Sequence, residues 1–286
     1  MTAHLSWNLV DDVRQLLQFP FMVNALRAGT IVAVVAGAIG YFMVLRRESF
    51  AGHTLALIGF PGAAGATWLG INEGFGFFAF CVLGALVIAA LPGGAGAREQ
   101  SAVIGTVQSS ALACGLLFVS LYHGFLSGLN DMLFGTIIGI TTAQVLLLLV
   151  AGCVALVLLA VIARPLLFAS VDVDVARARG VRVRIVSALF LLLLGIAAAG
   201  TSQVTGSLLV FALLVAPAAT AIRLTANPRL GVVLSVVIAV VVTWLGEGVA
   251  YFSPYPIGFW VTTFAFAFFL LASGWRALAD RRGLAC

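Results

Sequence analysis

The sequence predicts an all-α polytopic membrane protein, a bundle of about eight to nine transmembrane helices. Of its 286 residues, 63% are hydrophobic and only 9% are charged, which is far from the composition of soluble domains. Apolar runs of about 20 residues, the length needed to cross a bilayer core, follow one another with short polar loops between them. Strands of alternating polarity are not evident, so the pattern favours helices over a membrane barrel.

Nine apolar runs are the predicted spans of this bundle, and charged residues, prolines or glycines separate most of them. The first run ends at Arg46 and Arg47, and the third is closed by Pro92. The second contains Pro61 and Gly62, which predicts a helix that is kinked or unwound midway. The predicted spans are residues 21–45, 53–69, 75–91, 102–121, 145–167, 185–199, 206–224, 230–251 and 257–271.

Some segments lie outside these spans. Residues 1–20 carry apolar side chains at helical spacing beside charged ones, which is typical of an interfacial amphipathic helix. Residues 123–142 fit a short helix, a partial re-entrant segment or a packed span, and the sequence leaves these alternatives open. We therefore expect an interfacial segment at 1–20, a single transmembrane domain at 21–275 and a cytoplasmic tail at 276–286.

The arginines predict the orientation of the bundle. All 15 basic residues are arginine, and positive charge is retained on the cytoplasmic side of a membrane. With nine spans, only Arg14 and Arg27 fall on one side, and the other 13 fall on the opposite side. This arrangement puts the N-terminus outside and the C-terminus in the cytoplasm. The cytoplasmic arginines then lie at residues 46–47, 98, 164–184, 223–229 and 276–282.

The residues that are missing exclude several functions. Without a lysine, the chain can form neither the phosphate-binding loop GxxxxGK[ST] nor a lysine Schiff base, so any ATP-driven work requires a separate subunit. The motifs HExxH, GxGD and GxSG are also missing, which argues against an intramembrane hydrolase. The four cysteines lack the paired spacing of a disulfide framework or a CxxC metal site.

His53 is the clearest candidate for chemistry inside the membrane. It opens the second apolar run, shortly after Arg46 and Arg47. Ionisable side chains are rare in bilayer spans because they are costly to insert, so such a residue suggests a functional site. The alternative is an interfacial histidine that only hydrogen-bonds a helix end.

The loop at 169–184 has the pattern of a short cytoplasmic helix. Asp172 and Asp174 lie near its start and Arg177 near its end, which matches the helix dipole, and Gly180 suits a helix C-cap. A helix of this kind can dock in a groove of a partner. The alternative is an ordinary solvated connector.

Four ionisable residues fall on the outer face if the predicted topology holds. They could attract a cation or bind an extracytoplasmic protein, or they could be solvated ends of loops. These outer-face candidates are Glu73, His123, Asp131 and Glu247.

Five stretches, which follow one another along the chain in the family's order, resemble the membrane subunits of zinc/manganese-type ATP-binding-cassette importers. The most specific is GSLLVFALLVAPAATAIRL at 206–224, and the others are RRESFAGHTLALIGFPG at 46–62, IG at 104–105, LFGTIIG at 133–139 and VDVDVARARGV at 171–181. The resemblance covers nearly the whole chain. It implies a homodimeric permease of the cell membrane that is not itself an enzyme. Its expected partners are a separate ATPase and an extracytoplasmic metal-binding protein, with no nucleic acid and no permanently bound cofactor.

The resemblance also implies a role for the 169–184 loop and for His53. The stretch from Asp172 to Gly180, including Ala176, resembles the segment that couples the family's permeases to the ATPase. The family usually carries Asp and His four residues apart after SFxG, and the corresponding positions here are His53 and Leu57. Because imidazole suits zinc better than manganese, this exchange predicts zinc as the transported metal, with two His53 side chains facing one another across a dimer axis. The alternatives are manganese or iron import, or a siderophore or vitamin permease of the same fold.

Overall fold

Ten helices form the part of the chain described by the computed structural model, which comprises residue 15 and residues 18–91, 97–122, 140–206 and 210–281. No strand occurs among these residues. The helices are α1 (Pro20–Leu45), α2 (Ser49–Leu69), α3 (Glu73–Ala90), α4 (Ala97–Leu121), α5 (Thr142–Val171), α6 (Val173–Ala178), α7 (Val183–Thr205), α8 (Val210–Leu224), α9 (Pro228–Phe252) and α10 (Ile257–Arg281).

Helix α1 is the central element of the bundle and packs against α5, α7, α8 and α9. Small residues allow neighbouring backbones to approach it closely. A Cβ atom at Gly37 would lie 2.7 Å from Val236 Cα in α9, and one at Gly40 would overlap the Leu214 carbonyl in α8. The Ser235 hydroxyl also donates a hydrogen bond of 2.7 Å to the Gly37 carbonyl. Further along α1, the Tyr41 ring packs on Gly231 near the start of α9, so the two helices form an antiparallel pair.

Helices α2, α3 and α4 pack together on another side of the bundle, and α7 joins them to the α1 group. Gly59 leaves room for the Phe77 ring. The Cys81 thiol donates to the Leu55 carbonyl at 3.2 Å, so this cysteine behaves as a small buried residue. Helix α7 contacts α1, α2, α3 and α5, so a movement at its start would reach both groups.

The fold class predicted from the sequence is confirmed: the described part is all-helical, and each predicted span corresponds to one helix. Seven of the ten described helices are long and apolar enough to cross a membrane; the three outside that set are α2, the shorter α8 and the six-residue α6. Of the two alternatives for the second span, unwinding is wrong, because α2 stays helical through Pro61, whose ring packs where Gly115 of α4 leaves space, and the kink stays a prediction. Residues 1–14 and 123–139 lie outside the described residues, and the orientation stays a prediction.

Candidate functional site

His53 lies on a face of α2 that its own chain leaves partly open. The imidazole is half-buried, and its ring meets the Phe211 ring of α8 edge to face, with centroids 5.3 Å apart. Phe50, one turn earlier, is 43% exposed, and Leu57, one turn later, is half-buried. We call the surface formed by Phe50, His53, Leu57 and Phe211 the His53 face.

One chain supplies few metal ligands at this face. The described residues contain no group of three or more His, Cys, Asp or Glu side chains that could hold a metal ion. Leu57, in the place where the resembled family carries histidine, adds only an apolar surface. A stable metal site usually requires four or more ligands, so His53 alone could provide only a weak contact that needs ligands from elsewhere.

The opposite side of α2 holds the helix in one rotation. Thr54 is fully buried, and its hydroxyl donates to the Gln108 amide oxygen of α4 at 2.8 Å. Gly52 packs against the Met43 sulfur of α1. Because consecutive helical residues point about 100° apart, burying Thr54 in this way directs His53 towards the open face.

A largely buried ion pair lies just before His53 in the chain. Arg46 donates to one carboxylate oxygen of Glu48 at 3.0 and 2.8 Å, and to the Ser187 hydroxyl of α7 at 2.8 Å. Its guanidinium also lies 5.5 Å from the centre of the Phe190 ring. Burial raises the pKa of the Glu48 carboxyl, and the Arg46 guanidinium partly offsets that rise. Sequence reasoning missed this cluster, because it treated Arg46 as a loop charge.

The turn that carries this ion pair is a Schellman motif. The Arg47 amide donates to the Val44 carbonyl at 3.1 Å, and the Glu48 amide donates to the Met43 carbonyl at 3.0 Å. Arg47 adopts φ of 60°, the left-handed position that glycine usually occupies in this motif. The turn therefore carries some backbone strain in order to place Arg46 and Glu48 side by side.

The predicted short helix after α5 is confirmed as α6. The Asp172 carboxylate caps its start by accepting from the amides of Asp174 and Val175 at 2.9 and 3.0 Å. Gly180, directly after the C-cap residue Arg179, ends it with φ of 79°, the left-handed position for which the sequence predicts a glycine. Ala176 is buried, and an exposed pair joins Arg177 to Asp174 at 3.5 Å. One face of α6 is therefore fixed to the bundle, and the charged face is free.

The outer-face candidates separate into three cases. Glu73 is half-buried in the first turn of α3, where Asn72 caps the helix by accepting from the Phe75 amide at 3.2 Å. His123 and Asp131 lie outside the described residues. Glu247, predicted as an outer-face group or as a solvated loop end, is exposed as neither: its side chain is 0% exposed and packed between α9 and Gly29 of α1.

Comparisons with known proteins agree with this architecture. The sequence profile of the ABC 3 transport family matches residues 18–276. The manganese import system permease protein ScaB of Streptococcus parasanguinis is 30% identical over 92% of this chain and 94% of its own length. The chelated iron transport system membrane protein YfeC of Yersinia pestis is 32% identical over 81% of this chain and 78% of its own. The solved structure of PsaBC from Streptococcus pneumoniae in complex with Fab is similar, with a TM-score of 0.81, 28% identity and coverage of 92% of this chain and 95% of the other.

Proposed function

The chain belongs to the ABC 3 transport family, and we propose that, as the permease subunit of an importer, it moves manganese or iron across the membrane. It is a multi-pass protein of the cell membrane and a transport subunit rather than an enzyme, with ATP hydrolysis on a separate subunit. The observation that carries the proposal is the match over nearly the full length to manganese and iron permeases.

Zinc, the metal predicted from the sequence, is the second candidate. The names of the relatives favour manganese or iron over zinc. One observation favours zinc: His53 lies on the open face, and imidazole nitrogen is a better ligand for zinc than for manganese. A siderophore or vitamin permease would instead carry a metal complex or an organic molecule, and its transport would not depend on free metal.

Metal contents measured in cells test the substrate directly. A strain lacking the chain is grown with limiting manganese, iron or zinc, and the content of each metal is compared with that of the complemented strain. We expect a selective loss of manganese or iron. A selective loss of zinc would overturn the proposal and favour the zinc alternative, and no change in any free metal would favour the siderophore or vitamin reading.

We further propose that His53 contacts the metal on its path and that a second copy of the chain supplies the facing ligand. The half-open His53 face and the lack of a metal-ligand group within the described chain support this role. In a homodimer with two-fold symmetry, one His53 from each copy gives two nitrogen ligands. Two ligands make a weak site, which suits transport because the ion must leave as well as enter.

Uptake by the importer in proteoliposomes, with its ATPase and binding protein, tests the role of His53. His53→Ala is expected to lose most metal uptake while complex assembly and basal ATP hydrolysis stay normal. Leu57→Ala is the matched control, since it alters the same face without removing a ligand. Leu57→His should create a pair of imidazoles four residues apart on one helix face and raise uptake of zinc over manganese. Normal uptake by His53→Ala would remove His53 from the path.

The ATPase is proposed to bind the charged face of α6. Its support is the position of α6 directly before α7, with Ala176 buried against the bundle and Arg177 exposed. Gly180→Val would strain a backbone at φ of 79°, and Ala176→Leu would overfill a buried position. Both should reduce transport per ATP hydrolysed or prevent assembly, whereas Val161→Leu, at an exposed position of α5 outside α6, should not. Normal coupling in both variants would contradict this assignment.

The extracytoplasmic binding protein is proposed to contact the chain near Glu73. Glu73 is half-buried at the start of α3, on the outer side in the predicted orientation, which leaves its carboxylate available for a partner. Glu73→Arg should weaken binding-protein association in a pull-down with purified components. Unchanged affinity would assign Glu73 to helix capping alone, where an acidic residue also stabilises a first turn.

A further inference from the structure

Glu247 is a buried carboxylate that the proposed function does not use. It lies in α9 five residues before that helix ends, or about 7 Å along the helix axis. Its side chain is 0% exposed, and neither carboxylate oxygen has a hydrogen-bond partner among the described residues. Ionisable groups are costly inside membrane spans, so a glutamate retained there requires a physical explanation.

Helix α1 leaves space for this carboxyl group at Gly29. A Cβ atom at Gly29 would overlap the Glu247 carboxyl group. Since Gly37 meets Ser235 on the same pair of antiparallel helices, the Gly29 pocket lies at the end of the bundle away from the α1–α2 turn. The pocket therefore accommodates a carboxyl group of this size and lies far from the His53 face.

Three neutral donors close in sequence to Gly29 or Glu247 are already used. The Thr30 hydroxyl donates to the Leu26 carbonyl at 2.6 Å and accepts from the Trp244 indole at 2.8 Å. The Thr243 hydroxyl donates to the Ala239 carbonyl at 2.8 Å. These hydroxyl and indole hydrogens cannot also serve the carboxylate.

Positively charged groups are also out of reach among the described residues of every helix packed against α9. The chain has no lysine. Arg27 of α1 is exposed and lies two residues from Gly29, which places it about 200° around the helix. The other arginines of α1, α8, α9 and α10 that the structure describes lie towards the opposite end of the bundle: Arg46, Arg223, Arg229, Arg276 and Arg281. Tyr251, one turn beyond Glu247, carries no positive charge, and its ring lies near Phe19.

A metal ion fits this position poorly. Divalent cations take several oxygen or nitrogen ligands, and no group of three or more His, Cys, Asp or Glu side chains occurs among the described residues. A proton is the one cation that a single carboxylate holds without other ligands. We propose that Glu247 is a proton-binding site, seated between α1 and α9 at Gly29 and separate from the His53 face.

Neighbouring packing offers this proton a way to exchange. Trp260 and Thr262 of α10 also bury side-chain polar atoms that lack partners, and they flank Val261, which packs on Gly246 beside Glu247. Water admitted between α9 and α10 would give all of these groups hydrogen-bond partners. Water that reached Glu247 by this route would accept its proton.

Infrared difference spectroscopy tests the site without measuring transport. The importer, assembled with its ATPase in lipid nanodiscs, is compared between neutral and alkaline buffers in the carbonyl-stretch region of neutral carboxylic acids. Wild type should show a band of this kind at neutral pH, and Glu247→Gln should lose it. Glu247→Asp should shift the band, which keeps the test usable if the glutamine variant folds poorly. Glu73→Gln, at a half-buried carboxylate, should retain the band.

Three results would overturn the proposal. The band could survive in Glu247→Gln, it could be missing from wild type at neutral pH, or it could disappear when Mn²⁺ is added at constant pH, which would assign the carboxylate to a metal. Because no readout depends on uptake, failure of the proton site is distinguishable from failure of the proposed transport function.

Discussion

Two glutamates at opposite ends of the bundle, the largely buried Glu48 and the fully buried Glu247, lie in different environments. Glu48 has a cationic partner in Arg46, which also reaches Ser187 of α7. Glu247 has only the Gly29 pocket and no hydrogen-bond partner among the described residues. A paired charge fixes the geometry of the elements that carry it, whereas an unpaired carboxyl group can be buried only with a bound proton or another cation. This difference predicts that the helices around Arg46 are held in one arrangement, whereas the helices around Glu247 can change their packing.

The largest effect is expected when the Glu48 partner is removed. Arg46→Ala leaves a buried carboxylate unpaired, which should lower the free energy of unfolding by about 3–5 kcal/mol. Without the guanidinium, burial alone acts on Glu48 and raises its pKa further. In Arg46→Ala the free energy of unfolding is therefore highest below the ordinary pKa range of a glutamate, where the carboxyl is protonated, and it falls as pH rises. The loss of stability relative to wild type should shrink in acidic buffer. Unfolding in mixed micelles at several pH values measures both effects.

A double variant and a neighbouring arginine provide the controls. Arg46→Ala combined with Glu48→Gln should recover part of the stability, because no buried charge remains. Arg47→Ala, at the exposed arginine of the same turn, should change stability little. An equal loss in all three variants would show that the turn, and not the ion pair, determines stability.

The second comparison applies the same substitution to both glutamates. Glu48→Gln removes a charge-assisted hydrogen bond and should cost about 1.5–3 kcal/mol. Glu247→Gln should cost little, because glutamine resembles a protonated carboxyl group in shape and charge. Unfolding of the two variants under one condition gives the difference directly. A larger loss for Glu247→Gln would reveal a partner for this carboxylate and reverse the contrast.

Much of the fold could be predicted from the sequence, but the surroundings of Glu48 and Glu247 could not. Apolar runs predict the helices because each span must satisfy its own backbone in the membrane. Asp172 and Gly180 predict the ends of α6 because caps are local. Arg46 and Ser187 are 141 residues apart, so their contact depends on helix packing. Glu247 lies near the end of an apolar run, and only the position of Gly29 on another helix shows that it is buried.

The third prediction tests whether the Gly29 pocket is shaped for the carboxyl group. Gly29→Ala places a Cβ atom where the Glu247 carboxyl group lies and should cost about 1–3 kcal/mol through overpacking. Gly248→Ala is the matched control in α9, where a Cβ atom would meet nothing within 4 Å, and it should gain up to about 1 kcal/mol because alanine favours helices over glycine. Thermal unfolding of both variants checks the opposite signs, and two stabilised variants would mean that α1 and α9 move apart freely.

The smallest expected effect concerns the third member of the Arg46 cluster. Ser187→Ala removes one acceptor from Arg46, which keeps both of its hydrogen bonds to Glu48, so the loss should be about 0.5–1.5 kcal/mol. Ser170→Ala is the matched control, because its hydroxyl donates at 2.6 Å to Leu166 within its own helix and links no other element. If Arg46, Glu48 and Ser187 act as one unit, Ser187→Ala should cost less in the Glu48→Gln background than in wild type. Additive losses would show that α7 is held to the α1–α2 turn by apolar packing alone, and the Arg46 end would then be no more rigid than the Glu247 end.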